Sequence, residues 1–122
     1  MRMVGLVAMG LAALAWASPA AAGESGVIAG TARVVDGDSL MVAAAAIRLF
    51  GIDAFEWDQT CTEASGRSWA CGEAAKARLE ALAEGRSVIC RPRDRDRRYR
   101  RVVAVCHAGE VDLGRQLVRD GL

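Results

Sequence analysis

Alternating and β-branched apolar residues predict five short strands, in a group of three followed by a group of two. They span residues 27–35, 39–42, 47–52, 87–90 and 102–106. Apolar positions at helical spacing predict a helix over residues 72–84, which Gly85 ends. Asp112 is a good N-cap for a second helix that ends at Gly121.

The polar segments between these elements predict the connections. Asp36-Gly37-Asp38 stands between two apolar stretches, which is typical of a hairpin turn. Residues 43–46 predict a tight connection, and residues 56–72 predict a surface loop because the apolar pattern is lost there. An arginine-rich loop would separate the last two strands.

Three strands, a helix, two strands and a helix are the element order of an OB-type barrel. The chain has 122 residues, which is enough for one domain. We therefore predict a mainly β (α+β) fold, a five-stranded OB-type β-barrel with two helices. The element order alone also allows other α+β folds.

The N-terminus has the features of a secretory signal peptide. Arg2 precedes an uncharged apolar run over residues 4–16, and an A-x-A pattern of small residues follows. The run is too short to span a bilayer comfortably. We predict a signal peptide over residues 1–22, cleaved near Ala22, and a domain over residues 23–122 that is secreted or periplasmic, without stable membrane association after signal removal. A buried N-terminal helix is the alternative.

Export changes how the four cysteines are interpreted, because an even number in an oxidising compartment is typical of disulfides. Four cysteines allow three pairings. We favour Cys61–Cys71, which closes a short loop, and Cys90–Cys106, which joins two predicted strands. The sequence has no C-x-x-C pair and His107 is its one histidine, so a structural zinc site is poorly supported.

The formal net charge of +1 carries little information, but arginine is concentrated in one segment. Such a segment fits contact with a polyanion such as nucleic acid. A solvated loop without a specific partner is an equally good interpretation. The arginines of this segment are Arg91, Arg93, Arg95, Arg97, Arg98, Arg100 and Arg101.

Acidic residues follow the first and third predicted strands. If the second and third strands pair, Asp38 and Asp53 lie at neighbouring strand ends, and the carbonyl of Ala54 adds a third oxygen. Oxygen ligands of this kind suit a hard cation. Glu56 is placed to hold and deprotonate a water. The alternative is that Asp36 and Asp38 are only turn residues and that Glu56 is a surface residue.

Arg48 and Arg101 are candidate ligands of a phosphate. Guanidinium forks neutralise the charge that develops on a phosphate in the transition state. Clustered carboxylates also repel one another unless cations lie among them. The alternative for Arg48 is a simple pairing with a neighbouring acid. Trp57 and Trp69 are more typical of residues that cover apolar surface than of residues that stack on bases.

Several strings resemble the thermonuclease (staphylococcal nuclease-like) family in order and spacing. These are VVDGDSLMV, IRLFGIDAFE, CGEAAKARLEAL, RRYRRVVAVC and LVRDGL, and the resemblance runs from about Thr31 to Leu122. D-G-D-[ST] followed by R-x-x-x-x-D-x-x-E is a fairly specific combination. The cysteines are also similar to those of exported bacterial members. Family members continue beyond the position of Leu122, so the resemblance implies that this sequence lacks their C-terminal helix.

The resemblance implies Ca²⁺-dependent hydrolysis of DNA and/or RNA, in which an activated water displaces the 5′ oxygen. Matched residue by residue, the family pattern places Asp38, Asp53 and the carbonyl of Ala54 on Ca²⁺. Asp36 would support this metal shell from behind. Glu56 would be the general base or would position the attacking water.

The family pattern also makes Arg48 and Arg101 the residues that hold the scissile phosphate. Tyr99-Arg100-Arg101 stands where the family usually has Tyr-Gly-Arg, so Arg100 is a rival for the second role. A monomer that acts on nucleic acid is expected. The alternative function is a catalytically weak or inactive nuclease-like OB-fold module that binds nucleic acid or protein.

Overall fold

Five strands close into a barrel in the computed structural model of the chain, which describes residues 26–122. The elements are β1 (Ile28–Asp36), β2 (Ser39–Val42), β3 (Ala45–Leu49), β4 (Cys61–Thr62), β5 (Ser68–Trp69), α1 (Cys71–Ala83), β6 (Ser87–Asp96), β7 (Arg101–Ala108), β8 (Val111–Asp112) and α2 (Leu113–Arg119). Antiparallel pairs run in the order β3-β2-β1-β6-β7, and a parallel pairing of β3 with β7 closes the barrel. The predicted OB-type barrel with two helices is confirmed.

The barrel interior is filled by one face of each strand, as the two-residue period of a strand requires. Leu40 and Val42 of β2 are buried, and so are Ile47 and Leu49 of β3. Helix α1 packs against β1, and α2 packs against β7 and α1. The two helices contribute Leu79, Ala83, Leu113 and Leu117 to the same core cluster.

The arginine-rich segment is a long hairpin, so the predicted loop between residues 90 and 102 is wrong. Strand β6 continues to Asp96 and β7 begins at Arg101, and these two residues are the last pair of the ladder. A register shift lies between Pro92 and Asp94, as expected where proline removes a backbone donor. The pattern conceals this strand because residues 91–95 are all exposed, whereas backbone pairing does not require apolar side chains.

Two other predicted boundaries differ from the structure. The β2–β3 connection is a two-residue turn at Ala43 and Ala44, whose φ angles are 48° and 62°, so β3 begins at Ala45 rather than after residue 46. Both φ values are positive, as in the type I′ turns that match the twist of a hairpin. Strand β3 ends at Leu49 rather than at residue 52, because a turn follows in which Gly51 has φ +77°.

The remaining connections and helices lie close to their predicted positions. The segment 56–72 contains the short β4–β5 hairpin within its loop. Helix α1 begins and ends one residue before the predicted bounds, and α2 ends at Arg119 rather than at Gly121. Asp112 caps α2, since its Oδ1 accepts a hydrogen bond from the amide of Arg115 at 3.1 Å.

Two disulfides hold the described part of the chain, Cys61–Cys71 and Cys90–Cys106, which are the favoured pairings. Cys90 and Cys106 are directly paired residues of β6 and β7. Disulfides of this kind are typical of an oxidising, extracellular or periplasmic environment. The predicted signal peptide, residues 1–22, lies outside the described residues. No helix within residues 26–122 is long and apolar enough to cross a membrane.

Candidate active site

A polar cleft of about 410 Å³ lies where the β1–β2 turn, the segment after β3 and the β6–β7 hairpin meet. It contains the six side chains to which the sequence assigned metal binding, base catalysis or phosphate binding, but neither Ala54 nor the rival Arg100 lines it. The roles of these residues stay predictions. The lining residues are Asp36, Asp38, Arg48, Asp53, Glu56, Asp96, Tyr99 and Arg101.

Strand pairing sets the positions of the two arginines and of Asp38. Arg48 pairs with Ser39 across β2 and β3, and the amide of Leu49 donates to the carbonyl of Asp38 at 2.8 Å. The parallel β3–β7 pairing places Arg48 opposite Val103. Arg101 at the start of β7 therefore reaches the cleft that contains Arg48.

The side chain of Asp38 is more enclosed than those of Asp96 and Asp53, with 14% of it exposed against 19% and 83%. Its Oδ2 accepts a hydrogen bond from the amide of Ala54 at 3.3 Å and lies 3.9 Å from Nε of Arg48. Burial raises the pKa of Asp38 above its ordinary value, and the nearby carboxylates of Asp36 and Asp53 add to the rise. The Ala54 amide and Arg48 oppose it.

Arg48 lies between the two carboxylates that the sequence assigned to a metal. Its Nη2 is 3.6 Å from Oδ1 of Asp53, whose side chain is 83% exposed. Both of its distances to carboxylate oxygens are longer than a good charge-assisted hydrogen bond. The oxygens of Asp38 and Asp53 thus keep capacity for a further cation.

Arg101 is held by two residues that the sequence analysis did not assign. Its Nη2 donates to Oδ2 of Asp96 at 2.8 Å, and its guanidinium lies 4.9 Å from the centre of the Tyr99 ring. The Arg101 hydrogen bond holds the pKa of Asp96 below its ordinary value, and the Tyr99 amide acts in the same direction. The sequence contains one indication of this role for Asp96: like Asp94, it is an acidic residue within the arginine-rich segment.

The structure separates the two rival arginines. Arg101 lines the cleft, whereas Arg100 occupies the hairpin turn with φ 52° and does not line it. The Nε atom of Arg101 is buried and has no hydrogen-bond acceptor within residues 26–122. The guanidinium therefore retains a donor that Asp96 does not use.

Glu56 stands in a tight turn that helix α1 braces. Its amide donates to Oε1 of Gln59 at 3.1 Å, and its carbonyl accepts from the amide of Gln59 at 2.9 Å. Gly72, near the start of α1, donates to the carbonyl of Gln59 at 3.1 Å. The Cys61–Cys71 disulfide ties the same helix start to the loop.

Gly72 makes room for this loop. A Cβ at position 72 would overlap the carbonyl oxygen of Glu56 and come within 2.8 Å of the carbonyl carbons of Glu56 and Trp57. Gly37 also allows a close approach, because a Cβ at position 37 would lie 2.9 Å from the side chain of Ala75 in α1 and 3.1 Å from that of Ala54. The sequence analysis missed both contacts.

The donor set of the cleft fits a hard divalent cation. Carboxylates outnumber guanidinium groups among the lining residues, and carboxylate and carbonyl oxygens are the ligands that Ca²⁺ prefers. Within residues 26–122, no group of three or more His, Cys, Asp or Glu side chains is arranged to hold a metal ion. Of the residues predicted to bind a cation, Asp38 and Asp53 line the cleft and Ala54 does not.

Comparisons with known proteins agree with this architecture. Residues 46–122 match the family described as staphylococcal nuclease homologue. The chain is also 36% identical over 122 residues to the succinoglycan biosynthesis protein ExoI of Rhizobium meliloti (strain 1021). That alignment covers 98% of this chain and 61% of the relative, so the chain spans about three fifths of the relative's length. On the family match, the chain belongs to the staphylococcal nuclease homologue family.

Proposed function

We propose that this protein is a Ca²⁺-dependent nuclease that hydrolyses phosphodiester bonds of DNA and/or RNA. One observation carries the proposal: a single cleft contains Glu56, both arginines and the carboxylates of Asp38 and Asp53. Membership of the staphylococcal nuclease homologue family supports the reaction class.

The arginines bind the phosphate and stabilise the charge that grows on it. Arg101 is pre-oriented by Asp96 and Tyr99, so little side-chain freedom remains to be lost when it meets a phosphate. Arg48 contacts the carboxylates only at 3.6 and 3.9 Å, so it can turn a donor towards the phosphate. Donors that are fixed before the reaction need no reorganisation in the transition state.

Glu56 accepts a proton from the attacking water. Its carboxylate is exposed in the cleft, and its backbone is held by Gln59 and by the start of α1. A base must be held within hydrogen-bond reach of the proton that it removes. As the water attacks phosphorus, the bond between phosphorus and the 5′ oxygen breaks. The 5′ oxygen leaves and takes up a proton from solvent to become a hydroxyl, and the phosphate stays on the 3′ oxygen.

Asp38, Asp53 and the carbonyl of Ala54 are the groups that would hold Ca²⁺, with Asp36 in support of the turn. Bound calcium neutralises charge on a phosphate oxygen and helps to align the water. The chain's own contribution is to keep Asp38 in place through the Ala54 amide and through the pairing of β2 with β3.

The two disulfides support a secreted or periplasmic location, which the N-terminal segment 1–22 would direct as a signal peptide. We expect the enzyme to act there as a monomer. The substrate would then be nucleic acid outside the cytoplasm.

Hydrolysis of a labelled single-stranded oligonucleotide tests the proposal through Glu56→Gln. This variant keeps the shape of the side chain and removes the base, so we expect kcat to fall by roughly 10²–10⁴-fold. Glu80→Gln, an exposed change on α1 away from the cleft, is the matched control and should keep the wild-type rate. A wild-type rate in Glu56→Gln would exclude the assigned base.

The second candidate function is a catalytically inactive barrel that binds nucleic acid or protein. The observation in its favour is that Arg48 already lies beside both proposed metal carboxylates, which reduces their need for a cation. The same assay distinguishes the two, because a binding module would retain the oligonucleotide without cleaving it.

A further inference from the structure

A second concavity, of about 460 Å³, lies between the β7–β8 hairpin and one face of α2, and we call it the α2 pocket. Arg101 begins β7 in the catalytic cleft and His107 follows six residues later on the same strand, so the two sites are about 20 Å apart at the rise of an extended chain. The volume is typical of small-molecule sites. The lining residues are His107, Glu110, Val111, Asp112, Arg115, Gln116 and Arg119.

The two arginines of the α2 pocket lack a counter-charge. Arg115 and Arg119 are both exposed, and in the described part of the chain neither guanidinium forms an ion pair. They stand four residues apart on α2, where like charges lie side by side and destabilise the helix. An anion that both arginines hold would relieve this repulsion, and guanidinium forks suit carboxylate and phosphate oxygens.

His107 and Asp112 define a second requirement of the ligand. Nε2 of His107 lies 4.0 Å from Oδ2 of Asp112, which is too long for a direct hydrogen bond. Nδ1 of the same ring is buried and has no partner among the described residues, so the favoured neutral tautomer carries its proton on Nε2. One atom at about 2.8 Å from both groups could accept from Nε2 and donate to Oδ2. A water or a ligand hydroxyl does both, whereas an ammonium only donates and a carboxylate only accepts.

The other polar groups of the α2 pocket favour a ligand with several hydroxyls. Glu110 is exposed and forms no ion pair within residues 26–122. The amide nitrogen of Gln116 donates to Oδ1 of Asp120 at 3.2 Å, which leaves the Gln116 side-chain oxygen as an acceptor. These acceptors suit hydroxyl donors. The carboxylates of Glu110 and Asp112 also repel further negative charge, so a strand of phosphates fits less well than a ligand with one anionic group.

We propose that the α2 pocket binds an anionic sugar, a compound with one carboxylate or phosphate group beside free hydroxyls. Arg115 and Arg119 hold the anionic group, and a sugar hydroxyl bridges His107 and Asp112. An anion alone leaves the bridge to water, and a neutral sugar leaves the arginines without a partner. The inference does not rest on the proposed nuclease function, because the α2 pocket and the catalytic cleft share no lining residue.

Titration of the untagged, disulfide-bonded protein with glucuronate and with glucose 6-phosphate tests the site. Binding is followed at constant pH by the NMR signals of the imidazole, which are unambiguous because His107 is the one histidine of the sequence. Both ligands should shift these signals to saturation, and the tighter of the two identifies the anionic group. Glucose, acetate and inorganic phosphate should bind at least about 10-fold more weakly, because each lacks one half of the ligand.

Variants separate the two halves of the site. Arg115→Gln/Arg119→Gln should reduce the affinity for the tighter anionic sugar to about that for glucose and leave glucose binding unchanged. His107→Phe removes the bridging donor and should weaken binding of both sugars, which is followed through the backbone amide of Arg115. Arg86→Gln is the matched control and should bind as the wild type does, because Arg86 is exposed and lines neither the α2 pocket nor the catalytic cleft.

The outcomes decide the assignment and keep it separate from catalysis. It would be overturned by the absence of a saturable shift with either anionic sugar, by equal binding of a sugar and its anion alone, or by equal affinities of Arg86→Gln and the double variant. Displacement of the anionic sugar by oligo(dT) in chelator would also overturn it, because the pocket would then serve nucleic acid. A protein that binds the anionic sugar and cleaves nothing would support the pocket and refute the nuclease.

Discussion

Gly72→Ala places one methyl group where the loop that carries Glu56 now lies. The added Cβ would overlap the Glu56 carbonyl oxygen and come within 2.8 Å of two carbonyl carbons, which are backbone atoms and cannot rotate away. The start of α1 is tied by the Cys61–Cys71 disulfide and packs in the core. The exposed loop, rather than the helix, is therefore expected to move.

The size of the effect follows from that displacement. The loop must shift by about 1 Å or more before the atoms regain van der Waals separation, and a misplacement of about 1 Å can cost roughly 10²-fold in rate. We expect kcat to fall by about this factor, with a loss of about 1–3 kcal/mol in the free energy of unfolding from overpacking.

Gly114→Ala is the matched control. Gly114 and Gly72 are each the second residue of a buried helix start, but the atoms nearest to a Cβ at position 114 lie at 3.7 Å. This change should keep kcat and stabilise the fold by about 0.5–1 kcal/mol, as alanine does relative to glycine in a helix.

A double mutant shows whether Gly72 acts through Glu56. If it does, Gly72→Ala should add little to the loss in Glu56→Gln, because both changes disable the same step. A wild-type kcat in Gly72→Ala would refute the argument that α1 positions the base. Fully additive losses would show that Gly72 acts by another route.

Three further changes test other parts of the structure. Arg101→Lys should raise the activation free energy by about 2–4 kcal/mol, measured as kcat/KM, because lysine lacks the fork that Asp96 orients; an unchanged value would remove Arg101 from the mechanism. The hydrogen bond from Arg78, at 2.6 Å, lowers the pKa of Asp120, so this pair stabilises the fold above the ordinary carboxyl pKa and ceases to do so as the pH falls through the lowered value. Arg78→Gln should accordingly reduce the urea midpoint at neutral pH, and a reduction that persisted undiminished in strong acid would contradict the assignment. Ala44→Gly should raise the free energy of unfolding by about 0.5–1 kcal/mol because φ 62° is strained for alanine, and a loss measured by urea unfolding would count against that strain.

The charged residues at the ends of β1, β2 and β3 could be placed from the sequence, because their positions depend on a local turn and on pairing between neighbouring strands. Asp-Gly marks the first turn, and antiparallel pairing of neighbouring strands brings Asp38 beside Arg48. The cap at Asp112 is likewise local. Each of these inferences uses residues that are near in sequence or in adjacent strands.

The features that were predicted wrongly or missed depend on contacts between distant residues or on residues that are unusual at their positions. The extension of β6 through exposed arginines gave no apolar pattern, and the turn at Ala43 and Ala44 uses residues that do not favour positive φ. The need for Gly72 arises from a contact with Glu56 that only the folded loop creates. Tertiary packing decides such features, so the local pattern does not contain them.

The dependence of cleavage on Ca²⁺ gives the most direct test of the central claim. End-labelled single-stranded DNA should be cleaved by the disulfide-bonded protein in Ca²⁺, with 3′-phosphate products, and should remain intact in excess chelator. Mg²⁺ should support much slower cleavage, because it demands tighter octahedral coordination than two carboxylates and a carbonyl provide. Equal cleavage rates in Ca²⁺ and in chelator, or no cleavage in Ca²⁺ above that of Glu56→Gln, would contradict a calcium-dependent nuclease.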